Sequence, residues 1–335
     1  MKHILVIRLS ALGDVAILVP VLKSYAQTNP DIHFTVAAPP LLQPLFDGIP
    51  NADFLGVKKR QSVHAIYLQL KSVGADSIAD LHHVNRVNRA LWLLRFDALI
   101  HLKPLRVKRI HKGRLSRWMF LRHLKTTPRR PQSERYADVF RSLGLNESKP
   151  INIQHPTSDN RRIGIAPFAQ HNGKIWPFEN TCRLSLMLAD KGYSVYLFGS
   201  DEEAPQLEEL ATRHPNISSL AGKQSFAEEL EIIRNLSLMV SMDSANMHFA
   251  SAVGTPVVSI WGATHPDFGF YGWGQKRANA LCANLKCQPC SAYGNKPCRY
   301  GDYRCLTAIP PRGRDGQNRK GSAMMQSLFC SGNQT

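Results

Sequence analysis

Residues 238–266, LMVSMDSANMHFASAVGTPVVSIWGATHP, place two apolar runs on either side of one helical stretch. The run Leu238–Val240 predicts a strand, and Ala245–Val253 has the apolar spacing of a helix that ends at Gly254. Val257–Trp261 predicts the next strand. A strand, a helix and a second strand in this order predict a βαβ unit, so the stretch restricts the chain to an α/β fold with a mostly parallel sheet.

Polar residues collect where the first of these strands leads into the helix, at Asp243, Ser244 and, about one turn later, His248. Open α/β sheets bind ligands at this position, because free helix N–H groups and the positive end of the helix dipole meet there. We therefore predict an anion site, with phosphate as the preferred ligand. The alternative is that Asp243 and Ser244 only cap the helix, since both residue types are common N-caps.

The same alternation of strands and helices occurs in both halves of the 335-residue chain. We predict a first Rossmann-like domain over residues 1–150 and a second over 151–310, with a linker at 146–160 that is rich in turn residues. Two such domains would form a cleft between the ends of their sheets. Residues 311–335 lack periodicity and are expected to be disordered.

The net charge of +17 predicts an acidic partner, and much of it lies between Lys103 and Arg135. Few aromatic residues interleave with these cations, so nucleic acid is a weaker interpretation than a membrane surface or an anionic acceptor. A solvated basic surface is the remaining alternative. No apolar run reaches the roughly 18 residues of a membrane span, and Arg8 and Asp14 interrupt the apolar N-terminus. We therefore expect a cytoplasmic protein.

Three further positions follow predicted strands. Asp14, after RLSALG, is suited to act as a general base, or it is an N-cap. Lys174 lies in a polar loop, where an ammonium group could neutralise phosphate, or it is an ordinary exposed lysine. Glu202 or Glu203 could accept a hydrogen bond from a ribose hydroxyl, or both belong to an acidic first helical turn. The absence of the dinucleotide-binding motif G-x-G-x-x-G disfavours a nicotinamide-dependent dehydrogenase.

Five cysteines cluster late in the chain, beginning at Cys282, and the four candidate metal ligands among them are Cys287, Cys290, Cys298 and Cys305. Their spacing is compatible with a structural zinc site, and reduced, buried thiols are the alternative. A disulfide framework is disfavoured in a cytoplasmic protein. The chain contains no Asp-x-Asp pair, so a metal-held sugar nucleotide is not indicated, and we expect no required cofactor.

Three segments, ILVIRLSALGDVAILVPVL, GKIWP and DSANMHFASAVGTPVVSIWGATHP, together resemble the lipopolysaccharide heptosyltransferases, glycosyltransferase family 9. The resemblance implies a GT-B architecture, two Rossmann-like domains with mostly parallel sheets facing across a cleft. It also implies metal-independent, inverting transfer of a sugar, commonly heptose from ADP-heptose, to a lipopolysaccharide core or related glycolipid. The protein would then work at the cytoplasmic face of the inner membrane. A UDP- or GDP-sugar transferase, a nucleic-acid-binding protein and a non-catalytic homologue are the alternatives.

The resemblance also assigns roles by position. Asp14 matches the general base and Lys174 the lysine beside the donor phosphates. The donor loop corresponds to Asp243, Ser244, Ala245 and His248, with Glu202 or Glu203 as a further donor contact. The family usually has glycine where this chain has Ala245, which bears on donor identity. The anionic acceptor or the membrane would face a basic set comprising Arg8, Lys112, Arg114 and Arg117.

Overall fold

The computed structural model describes residues 2–58, 60–103, 105–146 and 161–311. Its contacts divide the chain into a first unit, Met1–Gly113 with Arg130–Asn152, and a second unit, Arg114–Arg129 with Ile153–Thr335. Residues 114–129, placed by the sequence in the first domain, thus group with the second unit. The predicted linker, apart from Asn146, and the predicted tail, apart from Pro311, lie outside the described residues.

The first unit is built on a five-stranded sheet of order β3-β2-β1-β4-β5, in which every pairing is parallel. Its strands are β1 (Lys2–Ile7), β2 (Ile32–Ala38), β3 (Ala52–Gly56), β4 (Ser77–Asp80) and β5 (Arg106–Arg109). Its helices are α1 (Leu12–Thr28), α2 (Val63–Ser72), α3 (Asn85–Ile100) and α5 (Gln132–Ser142), while α4 (Arg114–Leu121) belongs to the second unit. The central strand β1 is apolar from Ile4 to Ile7 because both of its faces are buried.

The second unit contains a six-stranded sheet of order β11-β10-β9-β6-β7-β8, also parallel throughout. Its strands are β6 (Arg162–Ala166), β7 (Ser194–Leu197), β8 (Ile217–Ser219), β9 (Leu238–Met242), β10 (Val257–Trp261) and β11 (Ala280–Cys282). Its later helices are α6 (Phe178–Asp190), α7 (Ala204–Ala211), α8 (Phe226–Arg234), α9 (Ala245–Ala252) and α10 (Arg304–Thr307).

The predicted α/β class with two Rossmann-like parallel sheets is confirmed. The segment Leu41–Phe46, predicted to start a helix, is a 3-10 helix at Pro40–Leu45, because Pro44 inside it cannot donate a helical hydrogen bond. Strands β5 and β11 were not expected from the sequence. Among the described helices, none combines the length and the apolar character needed to cross a membrane.

Both sheets reverse their strand order beside the first strand of the unit. In the first unit β1 lies between β2 and β4, and in the second β6 lies between β7 and β9. The carboxyl ends of strands beside such a reversal are the usual ligand sites of open α/β sheets. The loops that follow β1, β4, β6 and β9 are therefore the places to look for chemistry.

Candidate functional site

In the second unit, Lys174 and Asp243 form an ion pair after the ends of β6 and β9. The Lys174 Nζ lies 2.9 Å from Asp243 Oδ2 and also donates to the Asp243 backbone carbonyl at 3.0 Å. The buried Thr264 hydroxyl donates to the same carboxylate oxygen at 2.7 Å. Two of the three ammonium N–H bonds are thus directed to Asp243, and one remains for another acceptor.

Glycines allow the loop that carries Lys174 to lie against two other loops. Gly173 donates its N–H to Gly294 O at 3.3 Å and accepts from Ala263 N at 2.7 Å. A Cβ atom at Gly173 would lie 2.6 Å from Gly294 O, and one at Gly262 would lie 2.4 Å from Gly173 O. Side chains at these positions would force the three loops apart, so the position of Lys174 depends on glycine here.

The N-terminus of α9 begins directly after this pair. Ser244 is the N-cap residue by position, but its hydroxyl makes no capping bond to the described helix and lies 3.2 Å from Ser241 Oγ. The carboxylate of Asp243 is directed to Lys174 and Thr264. Neither Asp243 nor Ser244 therefore caps α9 with its side chain. The N–H groups in the first turn of α9 can donate hydrogen bonds to an anionic oxygen.

Two other residues of the predicted donor loop occupy the first turns of α9. Ala245 is the first helical residue and is absent from the described residues with positive φ, so its backbone does not require glycine. The difference between Ala245 and the family's glycine therefore lies in the space that the methyl group takes beside a bound ligand. His248 is buried within the helix.

The two candidate glutamates differ in their surroundings. Glu203 is the N-cap of α7, and its carboxylate turns back to accept the Ser200 N–H at 2.8 Å. Glu202 is exposed. Glu203 therefore has a local structural use, and Glu202 is the stronger candidate for contact with a bound molecule.

In the first unit, Asp14 pairs with Arg8 at the switch point. Asp14 occupies the third position of α1, where its Oδ2 accepts from the Ala11 N–H at 3.4 Å and from the Arg8 guanidinium. Arg8 is buried, donates to Leu81 O at 2.6 Å and lies over the ring of Tyr136. The Tyr136 hydroxyl in turn donates to the Asp14 carbonyl at 3.0 Å. Asp14 is thus not an N-cap by position, and its Oδ2 accepts both the Ala11 and the Arg8 bonds.

Arg8 was expected to face an acceptor or a membrane, and the structure corrects that expectation. Its guanidinium is buried because it bridges Asp14 and the end of β4. Lys112 belongs to the first unit, whereas Arg114 and Arg117 belong to the second. Arg117 donates to the Tyr293 hydroxyl at 2.5 Å and lies over its ring. The basic segment is therefore divided between the two units, and Arg117 binds within its own unit.

A second polar group of the first unit follows β4 and was missed as a site. The buried Asp80 accepts from the backbone N–H groups of His82 at 3.1 Å and His83 at 2.7 Å, with Arg109 Nε 3.6 Å away. Burial raises the pKa of the Asp80 carboxyl, although these donors oppose the shift. His82 Nε2 lies 3.0 Å from the hydroxyl of Ser10. The polar sequence after β4 was the available signal, by the same rule that identified Asp14.

The four clustered cysteines, Cys287, Cys290, Cys298 and Cys305, line one cavity together with Ala263 and Gln288. All four are free thiols. Burial raises the pKa of Cys305 to about 12, and its three neighbouring cysteines add to the shift. Within residues 2–311 as described, no group of three or more His, Cys, Asp or Glu side chains has an arrangement that could hold a metal ion. The zinc site stays a prediction.

The cysteine segment also supports the Lys174 loop. Cys290 and Ser291 donate their N–H groups to Ala263 O at 3.0 and 3.1 Å, and Gln288 Nε2 donates to Gly262 O at 2.6 Å. Since Ala263 in turn bonds Gly173, the segment fixes the loop that positions Lys174.

Comparisons with known proteins agree with this layout. The family model described as glycosyltransferase family 9 (heptosyltransferase) matches residues 96–301. The chain is 36% identical over 112 residues to lipooligosaccharide heptosyltransferase 2 of Haemophilus influenzae, a match that covers 32% of each chain. It is 25% identical over 291 residues to lipopolysaccharide heptosyltransferase 3 of Escherichia coli, which covers 76% of this chain and 82% of that protein. The match spans about a third of the length of the first curated relatives.

Among solved structures, the E. coli ADP-heptose LPS heptosyltransferase II has a TM-score of 0.68 at 19% sequence identity, with 99% of each chain covered. At this identity the match shows a shared fold and nothing more.

Proposed function

The chain belongs to glycosyltransferase family 9, the heptosyltransferases, and from that premise we propose that it transfers a heptose from ADP-heptose to a lipopolysaccharide core or a related surface glycolipid. The observation that carries the proposal is the Lys174–Asp243 pair beside the N-terminus of α9. An ammonium group and a helix N-terminus together are a site for a diphosphate. The name of the E. coli structure, an ADP-heptose LPS heptosyltransferase, supports ADP-heptose over UDP- or GDP-sugars. The names of the curated relatives support heptose transfer, and none of the three names supports nucleic acid.

The second unit is assigned the donor. The remaining N–H of Lys174 and the first-turn N–H groups of α9 would stabilise the charge that grows on the departing diphosphate. Asp243 acts through Lys174, because its carboxylate and carbonyl hold the ammonium group in place. Ser244, Ala245 and His248 belong to the same loop and first turns, and Glu202 is proposed to accept a hydrogen bond from the donor.

The first unit is assigned the base. Arg8 holds Oδ2 of Asp14, and we assign the other carboxylate oxygen to take the proton from the acceptor hydroxyl. The hydroxyl oxygen attacks the anomeric carbon as the bond from that carbon to the diphosphate oxygen breaks. The proton stays on Asp14, ADP leaves with the electron pair, and a single displacement inverts the configuration.

The acceptor is an anionic glycolipid in this proposal, which places the protein at the cytoplasmic face of the inner membrane as a peripheral protein. The net charge of +17 supports an anionic partner. Lys112 and Arg114 remain candidates for that contact, whereas Arg117 would have to leave Tyr293 to take part.

The four-cysteine cluster is proposed to stabilise the fold rather than to take part in catalysis, with zinc as the candidate bound ion. Its support of the Ala263 and Gly262 loops favours a structural role. Elemental analysis of the purified chain, before and after chelation, measures the metal directly. Less than a tenth of an equivalent of any metal in protein produced in zinc-supplemented medium would rule the site out.

The proposed activity is tested by incubating the purified protein with a heptose-deficient lipopolysaccharide acceptor and ADP-heptose, followed by mass analysis of the acceptor. We expect the addition of one heptose with ADP-heptose, and none with UDP- or GDP-sugars. Binding of UDP- or GDP-sugars in preference to ADP-heptose would overturn the donor assignment. Salt-sensitive binding to nucleic acid without any sugar transfer would overturn the proposal as a whole.

A further inference from the structure

The outward face of α3 carries large apolar side chains over its last turns. Trp92, Phe96, Leu99 and Ile100 are 64%, 53%, 71% and 62% exposed. Their spacing of four, three and one residues places them on one side of the helix. The rings of Trp92 and Phe96 stack with centroids 5.8 Å apart and planes 10° apart, so they form one continuous apolar surface.

None of the described residues buries this face, whose four large apolar side chains all stay more than half exposed. The opposite side of α3 supplies Val87, Ala90, Leu91 and Leu94, which are buried in the core of the first unit. The helix is therefore apolar on two sides, of which one packs internally. Leu102, just after the helix, extends the exposed patch and is 88% exposed. Contiguous exposed patches of this kind are typical of surfaces that contact a partner.

The charges around the patch are basic. Arg86, Arg89 and Arg95 lie on α3 beside the apolar positions, and Lys103 follows Leu102. The helix contains one acid, Asp97, which is bound by Lys71 Nζ at 2.7 Å. The surroundings therefore carry a net positive charge.

From this combination we propose that the apolar face of α3 (Trp92, Phe96, Leu99, Ile100 and Leu102) inserts into the headgroup region of an anionic membrane. Aromatic and branched apolar side chains bordered by arginines match the composition of helices that lie in a membrane interface. The basic residues would meet the anionic headgroups while the apolar side chains reach the acyl boundary. The proposal deepens the proposed function by naming the surface that brings the enzyme to a glycolipid acceptor, and its membrane contact can be measured without any transfer.

The test is sedimentation of the full chain with vesicles of phosphatidylcholine alone or with phosphatidylglycerol added. We expect at least tenfold tighter binding to the anionic vesicles. The variant Trp92→Ser/Phe96→Ser/Leu99→Ser should lose at least tenfold of that binding. The matched control is Leu41→Ser, because Leu41 is 55% exposed in the same unit but lies outside α3. Its binding should equal that of the wild type.

Folding of the triple variant is checked by its thermal transition and its affinity for ADP, both of which should match the wild type. Transfer to a water-soluble, deacylated acceptor should be unchanged, while transfer to an acceptor embedded in vesicles should fall. Equal vesicle binding by wild type and triple variant would overturn the proposal. So would a wild-type dimer that the triple variant abolishes, because the face would then bind a second copy. Failure of transfer to both acceptors in the wild type would refute the proposed function alone.

Discussion

The two sheet edges each hold one carboxylate and one cation, but the two pairs are built in opposite senses. In the first unit the cation is the more buried partner, with the Arg8 side chain 10% exposed and that of Asp14 21% exposed. In the second unit the carboxylate is the more buried partner, with Asp243 at 8% and Lys174 at 18%. The first edge therefore presents an anion that can take a proton, and the second presents a cation that can meet a phosphate. Under the proposed function, the first pair serves the acceptor and the second pair serves the donor.

The largest expected effect belongs to Asp14, the more exposed partner of the first pair. Asp14→Asn keeps the shape of the side chain but cannot accept a proton as a carboxylate does, so the transfer rate should fall by about 10²- to 10⁴-fold. Initial rates with saturating ADP-heptose measure the effect. A thermal transition close to that of the wild type shows that Arg8 remains accommodated. A rate within threefold of the wild type would remove Asp14 as the base.

Lys174, the more exposed partner of the second pair, should give the next largest effect. Lys174→Met keeps much of the length of the side chain without its charge, and the loss of one charged contact to phosphate should raise the KM for ADP-heptose about 10- to 100-fold. Lys191→Met is the control, because Lys191 is an exposed lysine at the end of α6. Identical changes in the two variants would indicate a general effect of charge.

Two buried threonines allow the effect of the Lys174–Asp243 pair to be measured separately from the stability of the surrounding fold. Thr264 donates to the Asp243 carboxylate at 2.7 Å, whereas Thr255 donates to the Ile233 carbonyl at 2.6 Å. Each Thr→Val change should cost about 1–2 kcal/mol of stability. The Thr264→Val variant should also weaken ADP binding several-fold because Asp243 holds Lys174, and Thr255→Val should not. Calorimetric titration with ADP distinguishes the two variants. Equal weakening in both would show that the loss follows general destabilisation, and it would contradict the role of Asp243 through Lys174.

The smallest effect tests a carboxyl group outside both pairs. Burial raises the pKa of Glu229 to about 7 from its ordinary 4.5, so the folded state favours the protonated acid. The contribution of Glu229 to the free energy of unfolding is therefore fully present below about pH 4.5. It is lost as the pH rises towards 7 and stays absent above that. Glu229→Gln should raise the Tm at pH 8 and leave it nearly unchanged at pH 4. An equal Tm gain at both pH values would contradict the ionisation cause, and transfer should be unaffected.

The positions of Asp14 and Asp243 follow from the sequence, because apolar strand runs and glycine helix stops are local signals and the carboxyl ends of parallel strands share an edge. The distant hydrogen-bond partners that orient these carboxylates do not follow from local sequence. Thr264 reaches Asp243 from 21 residues away, and the contact exists only once β9 and β10 are paired. Periodicity alone likewise gave no indication that α3 has one apolar side in the core and another exposed, because both sides have the same composition. The GT-B resemblance supplied the roles, and the geometry supplied the orientation of each pair.

Calorimetric titration with ADP tests the opposite assignment of the two pairs most directly, using wild type, Asp14→Asn and Lys174→Met at one ionic strength. If the first edge serves the acceptor and the second the donor, Asp14→Asn should bind ADP within about twofold of the wild type. The Lys174→Met variant should bind it at least tenfold more weakly. Equal losses in the two variants, or a larger loss in Asp14→Asn, would contradict the division of donor and base between the two units.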